Sequence, residues 1–519
     1  MIDAFERILC AAMKSSGGWT IAFAALTVGS AVAQTTPVYP GCDVPKPSER
    51  GRTFYIDPVH GSSANDGSKE RPWRTLAEVV DPANHLIATR AYATGRSDGP
   101  RAIQPVNPDG AIRPDDTLTL MSGDHGAVSL RQAVNDDFIF VVAGAGQTPI
   151  VRSMAFAGSS HWIFRDIKFQ SERPEGNFEK KPYDSLIEFF ADGFYGPSDN
   201  VVFENDSISS VDDTSIWSPE DWVHKPYATG LKTFARCVAI VGNHFFNLRD
   251  ALSVAGNESL VQDNVIDNMG NDGMDIMASD LTIRANRISD SRHSSAEPLH
   301  ADGIQGWTLN GATNRNVVIE SNRIVNYNTS DDNYLQGISI FDGHWDGLTV
   351  ANNVVITNIW HGIALYGVEN VKVINNTVVA ARPDKFPTWI TIHEGEGKTP
   401  SRHVLVRNNI AAQFIIDGED ITFDHNVAQR SMRVRVRGGA NANENIVVET
   451  ARGSFGGHNF VNVGAFAHFV DYDPRGGRFD LRPDAFSPAR EAGADDQTPS
   501  LDIDGRPRVS PVDIGASAR

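Results

Sequence analysis

Proton-transfer side chains gather in one short stretch, LHADGIQGW, at residues 299–307. It places His300, Asp302 and Gln305 within six residues and adds Trp307. Imidazole exchanges protons near neutral pH, and carboxylates act as general acids or bases. A buried strand would exclude these polar groups, and an ordinary loop needs no large aromatic ring. The stretch therefore predicts an acid–base site, which other parts of the chain must hold in place.

The stretch belongs to an internal repeat. Short strands of alternating apolar residues, such as LTIRANRISD and LTVANNVVIT, are each followed by Asn at a fixed offset. The Asn residues are Asn243, Asn264, Asn286, Asn322, Asn353, Asn376, Asn409 and Asn426, and Asp206 takes this place in VVFENDSI. Several gaps of 21 to 23 residues, with strands in each unit, indicate the coils of a parallel β-helix. We interpret the Asn column as a structural ladder at a turn whose left-handed conformation Asn tolerates.

A second strand follows the Asn strand in six coils: DALSVAG, DGMDIMA, DGIQGWT, QGISIFD, HGIALYG and TWITIHE. Two apolar residues of each face the core, and strand alternation turns the others outward. The outward columns are Asp250, Asp272, Asp302, Gln336, His361 and Thr388; then Ser253, Asp275, Gln305, Ser339, Ala364 and Thr391; then Ala255, Met277, Trp307, Phe341, Tyr366 and His393. One outer face therefore collects carboxylates, amides, imidazoles and aromatic rings.

Insertions before these strands point to the same face. The coils lengthen at about 289–300, 325–335 and 380–387, just before the second strand. Insertions in repeat proteins tend to collect on the binding face. The sequence therefore predicts a groove with its walls at these loops. Arg292, His293, His344, Asp346 and Glu394 are expected at its rim.

The outer face predicts distinct roles for its side chains. We expect His300, Asp302, Asp275 and His361 to be catalytic. Aromatic faces stack on the flat C–H faces of sugar rings, so we expect the substrate-binding residues to be Gln305, Trp307, Gln336, Phe341, Tyr366 and His393. Packing of the aromatic rings beneath a loop is the alternative.

The carboxylates leave several interpretations open. Neighbouring coils bring Asp272 and Asp302 close together, as paired carboxylates for glycoside hydrolysis require. Alternatively, Asp250, Asp272 and Asp302 hold Ca²⁺, which binds hard oxygen ligands. Calcium would let an acidic protein hold a uronate polymer and assist β-elimination. A third interpretation, favoured for Asp250, is that Asp caps its own turn.

Charge and the N-terminal segment restrict the partners and the compartment. The formal net charge is 46 − 65 = −19, which argues against nucleic acid or an anionic membrane as partner. The run GWTIAFAALTVGSAVA, which ends in Ala31-Val32-Ala33, predicts a signal peptide over 1–33. We therefore expect a secreted protein, periplasmic or extracellular, that is a monomer without a membrane span after processing. Cys42 and Cys237 could then form a disulfide.

Segments near both ends resemble those of a known family. FYIDPVHGSSANDGSKERPWRTLAEV (54–79), PDDTLTLMSGDHG (114–126) and the closing FDLRPDAFSPAREAGADD are similar to segments of secreted right-handed parallel β-helix proteins of the pectin-lyase-like superfamily. The resemblance implies an all-β solenoid, with residues 74–90 as a short capping helix. It also implies a polysaccharide ligand in an outer groove. Neither the hydrolase set NTD…DD…GHG…RIK nor the Arg and Lys motif of pectate lyases is recognisable, so no catalytic residue is transferred.

These observations predict a domain plan and a ranked set of functions. The plan is a signal peptide (1–33), an N-terminal capping region (34–130), a β-helix with the groove (131–450) and a C-terminal closing segment (451–519). The favoured function is an enzyme that cleaves or modifies a uronate-containing glycan, with lyase-type β-elimination slightly ahead. A glycoside hydrolase with paired Asp and a non-catalytic, adhesive glycan-binding surface are the alternatives.

Overall fold

The computed structural model describes residues 51–95, 101–171, 185–190, 193–225, 229–293, 300–326, 333–383, 385–438, 445–448, 453–455, 457–461, 468–474 and 476–518. Within these ranges the α-helices are α1 (Leu76–Val80) and α2 (Asp221–His224), and the 3-10 helices are Pro82–Asn84 and Glu396–Lys398. No helix in these ranges has the length and apolar character that a bilayer crossing requires. Most of the remaining elements are short strands.

The strands of the described ranges fall into N-terminal, central and C-terminal groups along the chain. The N-terminal strands are β1 (Thr53–Ile56), β2 (Arg90–Tyr92), β3 (Ile103–Pro105), β4 (Thr117–Leu120), β5 (Gly123–Asp124), β6 (Ala127–Arg131), β7 (Val134–Ala143), β8 (Pro149–Val151), β9 (Ser153–Ala157), β10 (Ser160–Arg165), β11 (Lys168–Gln170), β12 (Ser185–Phe189), β13 (Asp199–Glu204) and β14 (Ser207–Ser209). The central strands are β15 (Thr229–Thr233), β16 (Arg236–Val241), β17 (His244–Leu248), β18 (Asp250–Val254), β19 (Leu260–Gln262), β20 (Val265–Met269), β21 (Met274–Ile276), β22 (Thr282–Arg284), β23 (Arg287–Ser291), β24 (Asp302–Gly306), β25 (Thr313–Arg315), β26 (Val318–Glu320), β27 (Arg323–Val325), β28 (Gln336–Ile340), β29 (His344–Asp346), β30 (Thr349–Ala351), β31 (Val354–Thr357), β32 (His361–Tyr366), β33 (Val368–Ile374), β34 (Thr377–Ala380) and β35 (Trp389–His393). The C-terminal strands are β36 (Arg402–Arg407), β37 (Ile410–Asp424), β38 (Val427–Arg437), β39 (Asn445–Val448), β40 (Gly453–Phe455), β41 (Asn459–Val461), β42 (Phe469–Asp473) and β43 (Arg478–Pro483).

Parallel pairing between successive coils builds three sheets. The first sheet contains β10, β13, β16, β19, β22, β26, β30, β33 and β36. The second contains β11, β14, β17, β20, β23, β27, β31 and β34. The third contains β12, β15, β18, β21, β24, β28, β32 and β35. The predicted all-β parallel β-helix is confirmed, but its coils contain a third strand where the sequence indicated two, and two coils add a further strand, β25 and β29.

The interior is filled by the apolar residues that the strand alternation turns inward. Leu252 and Val254 of the third sheet are fully buried, and so are their successors in the next coils. All six inward pairs expected from the sequence are buried, including Gly306, where a Cβ would meet Ile340 and Trp345. Because each coil stacks on the next, one continuous core runs along the solenoid.

The predicted Asn ladder is present at the turn between the first and second sheets. In each rung the backbone N–H and the Nδ2 amide of one Asn donate to Oδ1 of the Asn one coil later, as between Asn322 and Asn353 at 2.9 and 3.0 Å. The Nδ2 amide also donates to a backbone carbonyl of the preceding coil, as from Asn353 to Ile319 at 2.9 Å. Asn459 extends the ladder beyond the predicted members.

The left-handed residue of this turn is the one before the ladder Asn, which corrects the expectation from the sequence. Asn352, Asn375 and Asn408 have φ values of 61°, 53° and 57°, and each precedes a ladder Asn. Asn is one of the few residues other than Gly that tolerate this region. The Asn-Asn pairs therefore combine two roles, because the first residue makes the turn and the second makes the ladder.

The N-terminal helix is shorter than the predicted segment 74–90. Thr75 caps α1 by accepting from Glu78 N at 3.3 Å, and Leu76 and Val79 bury their side chains in the core. The helix ends at Val80 because Asp81 is extended and Pro82 begins a separate 3-10 turn. The signal peptide and Cys42 lie outside the described residues, and the domain boundaries stay predictions. Cys237 is disulfide-bonded.

Candidate active site

The third sheet aligns the outward columns coil by coil. Ser253 pairs with Asp275, Asp275 with Gln305, and Gln305 with Ser339. Ala364 and Thr391 follow in the same register. The side chains of this column therefore stand side by side at the strand spacing of about 4.8 Å. We refer to the outer side of the third sheet between β18 and β35 as the candidate face.

The Asp residues at the start of these strands bond to the backbone of the following coil. Asp250 Oδ1 accepts from Asp272 N at 3.1 Å, and Asp272 Oδ1 accepts from Asp302 N at 2.7 Å. Asn271 Nδ2 also donates to both Asp250 and Asp272, at 2.9 and 2.8 Å. Asp250 and Asp272 therefore link successive coils of the solenoid, whereas the turn interpretation had each Asp capping its own turn.

Asp302 departs from this pattern and holds a histidine. The next backbone N–H, that of Gln336, donates to Ala301 O and not to Asp302. The carboxylate of Asp302 instead accepts from His300 Nδ1 at 2.6 Å through Oδ2 and from Ser339 Oγ through Oδ1. Asp302 is fully buried, whereas 42% of the His300 side chain is exposed. The buried carboxylate thus orients an imidazole that reaches solvent.

Burial and mutual repulsion raise the pKa values of the carboxyl groups. The pKa of Asp272 is raised well above its usual range by burial and by the charges of Asp275, Asp250 and Asp302. The pKa of Asp275 is raised strongly by burial and by Asp250 and Asp302, against the opposing charge of Lys232. Burial also raises the pKa of Asp302, but the bonds from His300 and Ser339 counteract it. The bonds from His300 and Ser339 therefore favour the ionised form of Asp302, whereas burial and repulsion favour the protonated forms of Asp272 and Asp275.

Aromatic rings cover the candidate face on the C-terminal side of His300. Trp307, Phe341, Tyr366 and His393 are half-buried. Phe341 lies at the centre, with its ring centroid 6.0 Å from that of His300 and 5.1 Å from that of Tyr366. The Tyr366 and His393 rings are also 6.0 Å apart. These rings form a partly exposed apolar surface directly beside the oriented imidazole.

His361 is bonded to a residue that the sequence did not single out. Trp389 Nε1 donates to His361 Nδ1 at 3.2 Å. The register between β32 and β35 shifts here, so Trp389 pairs with His361 while Ile390 pairs with Ile363. The predicted partner in this column, Thr388, is instead fully buried. A bulge therefore moves the column by one residue, which strand alternation alone does not reveal.

Some of the other predicted residues lie on the candidate face, and others are buried. Gln305 is half-buried on the candidate face, but Gln336 is buried, with its Oε1 atom 3.2 Å from Ser339 Oγ. His293 was expected at the rim and is only 3% exposed, and neither ring nitrogen has a hydrogen-bond partner among the described residues. Of the predicted groove walls, residues 294–299, 327–332 and 384 lie outside the described residues.

The donor set does not fit the predicted calcium site. Both carboxylate oxygens of Asp272 and of Asp302 already accept bonds from neighbouring protein groups. Ca²⁺ needs six to eight oxygen ligands, commonly several of them carboxylates. Across the part of the chain that the structure describes, no three His, Cys, Asp or Glu side chains are grouped as a metal site. We derive no step through calcium at Asp250, Asp272 and Asp302, and calcium stays a sequence-based prediction.

Ser339 and Trp389 are the site residues that the sequence analysis did not assign. Ser339 was placed on the outer column without a role, and the structure bonds it to Asp302. The repeat of the strands predicted the position of Ser339 but not its hydrogen bond to Asp302. Trp389 is adjacent to Thr388 in TWITIHE, so only its register was missed.

A family model identifies the hand of the solenoid. Residues 230–379 match the model described as right handed beta helix region. This range contains the strands β18 to β32 and most of the candidate face. The chain is a right-handed parallel β-helix protein.

Solved structures similar to this β-helix protein share only the fold with it. The pectate lyase Pel9A is 13% identical, with a TM-score of 0.44, and the match covers 90% of this chain and 96% of that one. The A-module of the mannuronan C-5 epimerase AlgE6 from Azotobacter vinelandii is 16% identical, with a TM-score of 0.42 and coverage of 66% and 89%. An exopolygalacturonase from Thermotoga maritima is 12% identical, with a TM-score of 0.35 and coverage of 64% and 86%. A comparison with curated proteins gives no match. We draw nothing about activity from likenesses of this size.

Proposed function

We propose that this protein is a secreted enzyme that cleaves or modifies a uronate-containing glycan on the candidate face, with β-elimination as the favoured reaction. The observation that carries the proposal is the bond of 2.6 Å between His300 Nδ1 and the fully buried carboxylate of Asp302. A buried carboxylate behind a solvent-reaching imidazole is an arrangement for proton transfer. A surface that only binds glycan has no need of it.

His300 is the proton acceptor in this proposal. The ionised carboxylate of Asp302 can only accept hydrogen bonds, so His300 Nδ1 must carry the proton of the neutral ring. The lone pair is then on Nε2, which can abstract a proton from a sugar carbon. Asp302 stabilises the imidazolium that forms, and Ser339 fixes the carboxylate from the other side. Each of these groups is held before substrate arrives.

Asp275 is the proton donor. It is half-buried on the strand next to Gln305, one coil before the strand that carries Asp302. Burial and the charges of Asp250 and Asp302 raise its pKa strongly, so it keeps its proton at a higher pH than an ordinary carboxyl group. It can therefore protonate the oxygen of the leaving sugar. An oriented base and a protonated acid are the two groups that β-elimination requires.

The aromatic rings provide the binding surface. Trp307, Phe341 and Tyr366 come from successive coils, so their rings are spaced along the solenoid. Each is half-buried, which leaves part of a ring for the C–H face of a sugar. Gln305 and His393 add polar groups between and beside the rings. A chain of sugar units that lies across the coils would contact several of these platforms at once.

A glycoside hydrolase is the second candidate, favoured by the raised pKa of Asp275. Such an enzyme pairs a protonated acid with an ionised carboxylate. Asp272 and Asp302 are the neighbouring carboxyl groups, but both are buried and bonded to protein groups. The hydrolase therefore lacks an accessible second carboxylate at the positions that the sequence suggested. Its products differ from those of elimination, so one assay separates the two reactions.

The test is to incubate the chain from Gln34 onward with acidic and neutral polysaccharides, with calcium and with a chelator. Ultraviolet absorbance reports unsaturated uronate, and a reducing-end assay reports every cleavage. The proposal expects both signals from a uronate polymer and neither from the His300→Ala variant. Reducing ends without absorbance would indicate hydrolysis. Binding without either signal, and without proton exchange at the sugar carbons, would favour the non-catalytic surface.

A further inference from the structure

The second histidine of the candidate face, His361, has a fixed tautomer. Its Nδ1 atom faces the indole nitrogen of Trp389 at 3.2 Å. An indole N–H can only donate, so His361 Nδ1 must accept and carries no proton. In the neutral ring the proton is therefore on Nε2. Trp389 thus selects one of the two neutral forms of His361.

The surroundings of His361 keep it neutral. The rings of Phe341 and Trp389 contact His361 in T-shaped arrangements, each with a centroid distance of 5.2 Å. Burial and the charge of His300 lower the pKa of His361 to about 4. The ring therefore does not compete with His300 for a proton near neutral pH. It presents an uncharged N–H group.

The Nε2–H group of His361 is directed to the surface of the candidate face. No described residue accepts a bond from Nε2, and Nε2 is not among the enclosed polar atoms that lack a partner. The side chain keeps a small exposed area, with the whole residue 7% exposed. A polar atom that is neither bonded nor enclosed meets solvent in the free protein. A bound sugar would meet the same donor.

The two histidines therefore have opposite tautomers on either side of Phe341. His300 donates a hydrogen bond from Nδ1 to the Asp302 carboxylate, whereas His361 accepts one at Nδ1 from Trp389. The Phe341 centroid is 6.0 Å from that of His300 and 5.2 Å from that of His361. In this arrangement the His300 ring would accept a proton and the His361 ring would donate a hydrogen bond to the same bound sugar chain.

We infer that His361 is a neutral hydrogen-bond donor to a sugar oxygen on which negative charge increases during the reaction, and that Trp389 is the positioning residue that sets its tautomer. This inference rests on the proposed function for the role of the donor, but the tautomer itself is independent of any substrate. It gives a specific role to His361, which the sequence analysis expected to be catalytic. A single preorganised donor to developing charge contributes about 10²–10³-fold to turnover.

The tautomer is tested by nuclear magnetic resonance of the protein labelled with ¹⁵N at histidine. Long-range ¹H–¹⁵N correlations distinguish a protonated from an unprotonated ring nitrogen, and the His361→Gln variant assigns the signal. We expect His361 to carry its proton on Nε2 throughout about pH 5 to 8. Trp389→Phe keeps the aromatic ring but removes the donor, so the Nδ1 signal should shift and a mixture of tautomers should appear. A proton on Nδ1, or on both nitrogens, in the wild type overturns the inference.

The donor role is tested by kinetics with a matched control. Trp360 stacks on Trp389 at 6.0 Å with an interplanar angle of 11°, yet its side chain makes no bond to His361. We expect Trp389→Phe to lower kcat about 10-fold, the factor of one hydrogen bond, with KM nearly unchanged. Trp360→Phe should behave as the wild type. Equal kcat for both variants and the wild type overturns the donor role. A wild type without turnover contradicts the proposed function, and the spectrum still decides the tautomer.

Discussion

Two polar columns run along this β-helix, the Asn ladder inside and the Asp column at the start of the third-sheet strands. In the ladder, each Asn donates twice to the Asn one coil later, so identical neighbours satisfy one another. In the Asp column, each carboxylate accepts one backbone N–H from the next coil until Asp302, where the series stops. Asp302 binds His300 and Ser339 instead.

The difference between the two columns shows which polar residues hold the coils together and which are available for a reaction. A column of one residue type uses its polar groups to hold the coils together. A column whose residue type changes from coil to coil leaves atoms for other partners. In the Asp column, burial and repulsion between carboxyl groups also raise the pKa of Asp272. The first break in the regular pattern, at Asp302, marks the candidate catalytic position.

The largest effect is expected when a carboxylate is placed in the ladder. Asn353 is fully buried and donates from Nδ2 to Ile319 O and Asn376 Oδ1. In Asn353→Asp both donors disappear, and an unpaired charge faces two acceptors. We expect a loss of about 3 kcal/mol or more in the free energy of unfolding at neutral pH, measured by urea denaturation.

The pH dependence of that loss is a control. The introduced carboxyl group has a pKa raised by burial, so the folded state binds its proton more tightly than the unfolded chain does. The stability relative to wild type should therefore be greatest below the ordinary Asp pKa and decrease as pH rises. A penalty that does not change with pH would contradict this description of the ladder.

Replacing the carboxylate of the ladder by an amide, in Asp206→Asn, should stabilise the protein. Asp206 occupies the ladder position, where its buried Oδ2 atom has no partner within the part of the chain that the structure describes, and burial raises its pKa well above the usual range. In the next coil Asn243 Nδ2 donates to Phe203 O, so the amide of Asp206→Asn should donate to the equivalent carbonyl, that of Phe164. We expect a gain of about 1–3 kcal/mol at neutral pH by urea denaturation.

This gain should vanish in acid, where Asp206 already carries a proton. The sign follows from the raised pKa, since the stability from the protonated carboxyl group is present at low pH and is lost as pH rises. Equal midpoints for Asp206→Asn and the wild type at neutral pH would show that the ladder does not distinguish amide from carboxylate.

The smallest effect concerns the aromatic part of the candidate face. Trp307→Ala removes one platform without touching His300 or Asp302. A stacked aromatic pair contributes about 0.5–1.5 kcal/mol, so we expect KM for the glycan to rise a few-fold to about 10-fold with kcat unchanged. Trp307→Phe should retain most of the affinity. A change in kcat alone would argue against a binding role.

The regular parts of the molecule could be predicted from the sequence, and the departures from regularity could not. Period and alternation were sufficient for the Asn ladder and for core residues such as Ile338 and Ile340. They did not reveal the third strand of the coils. They also missed the bulge that pairs His361 with Trp389, because a shift of one residue leaves no trace in the composition of the strand. His300 and Asp302 stood out by residue type, but the partner Ser339 required three-dimensional contacts.

The central claim is that Asp302 serves chemistry whereas Asp272, in the same column, serves the fold. The direct test compares Asp302→Asn with Asp272→Asn for turnover and binding of the glycan that the wild type converts. Asp302→Asn should lower kcat by about 10²–10⁴-fold with binding retained, because an amide cannot orient or stabilise His300 as a carboxylate does. Asp272→Asn should keep kcat within a few-fold of wild type and lower the stability instead, because the new amide loses one of the bonds that Asp272 accepts from Asn271 Nδ2 and Asp302 N. Similar kcat values for the two variants would contradict the account.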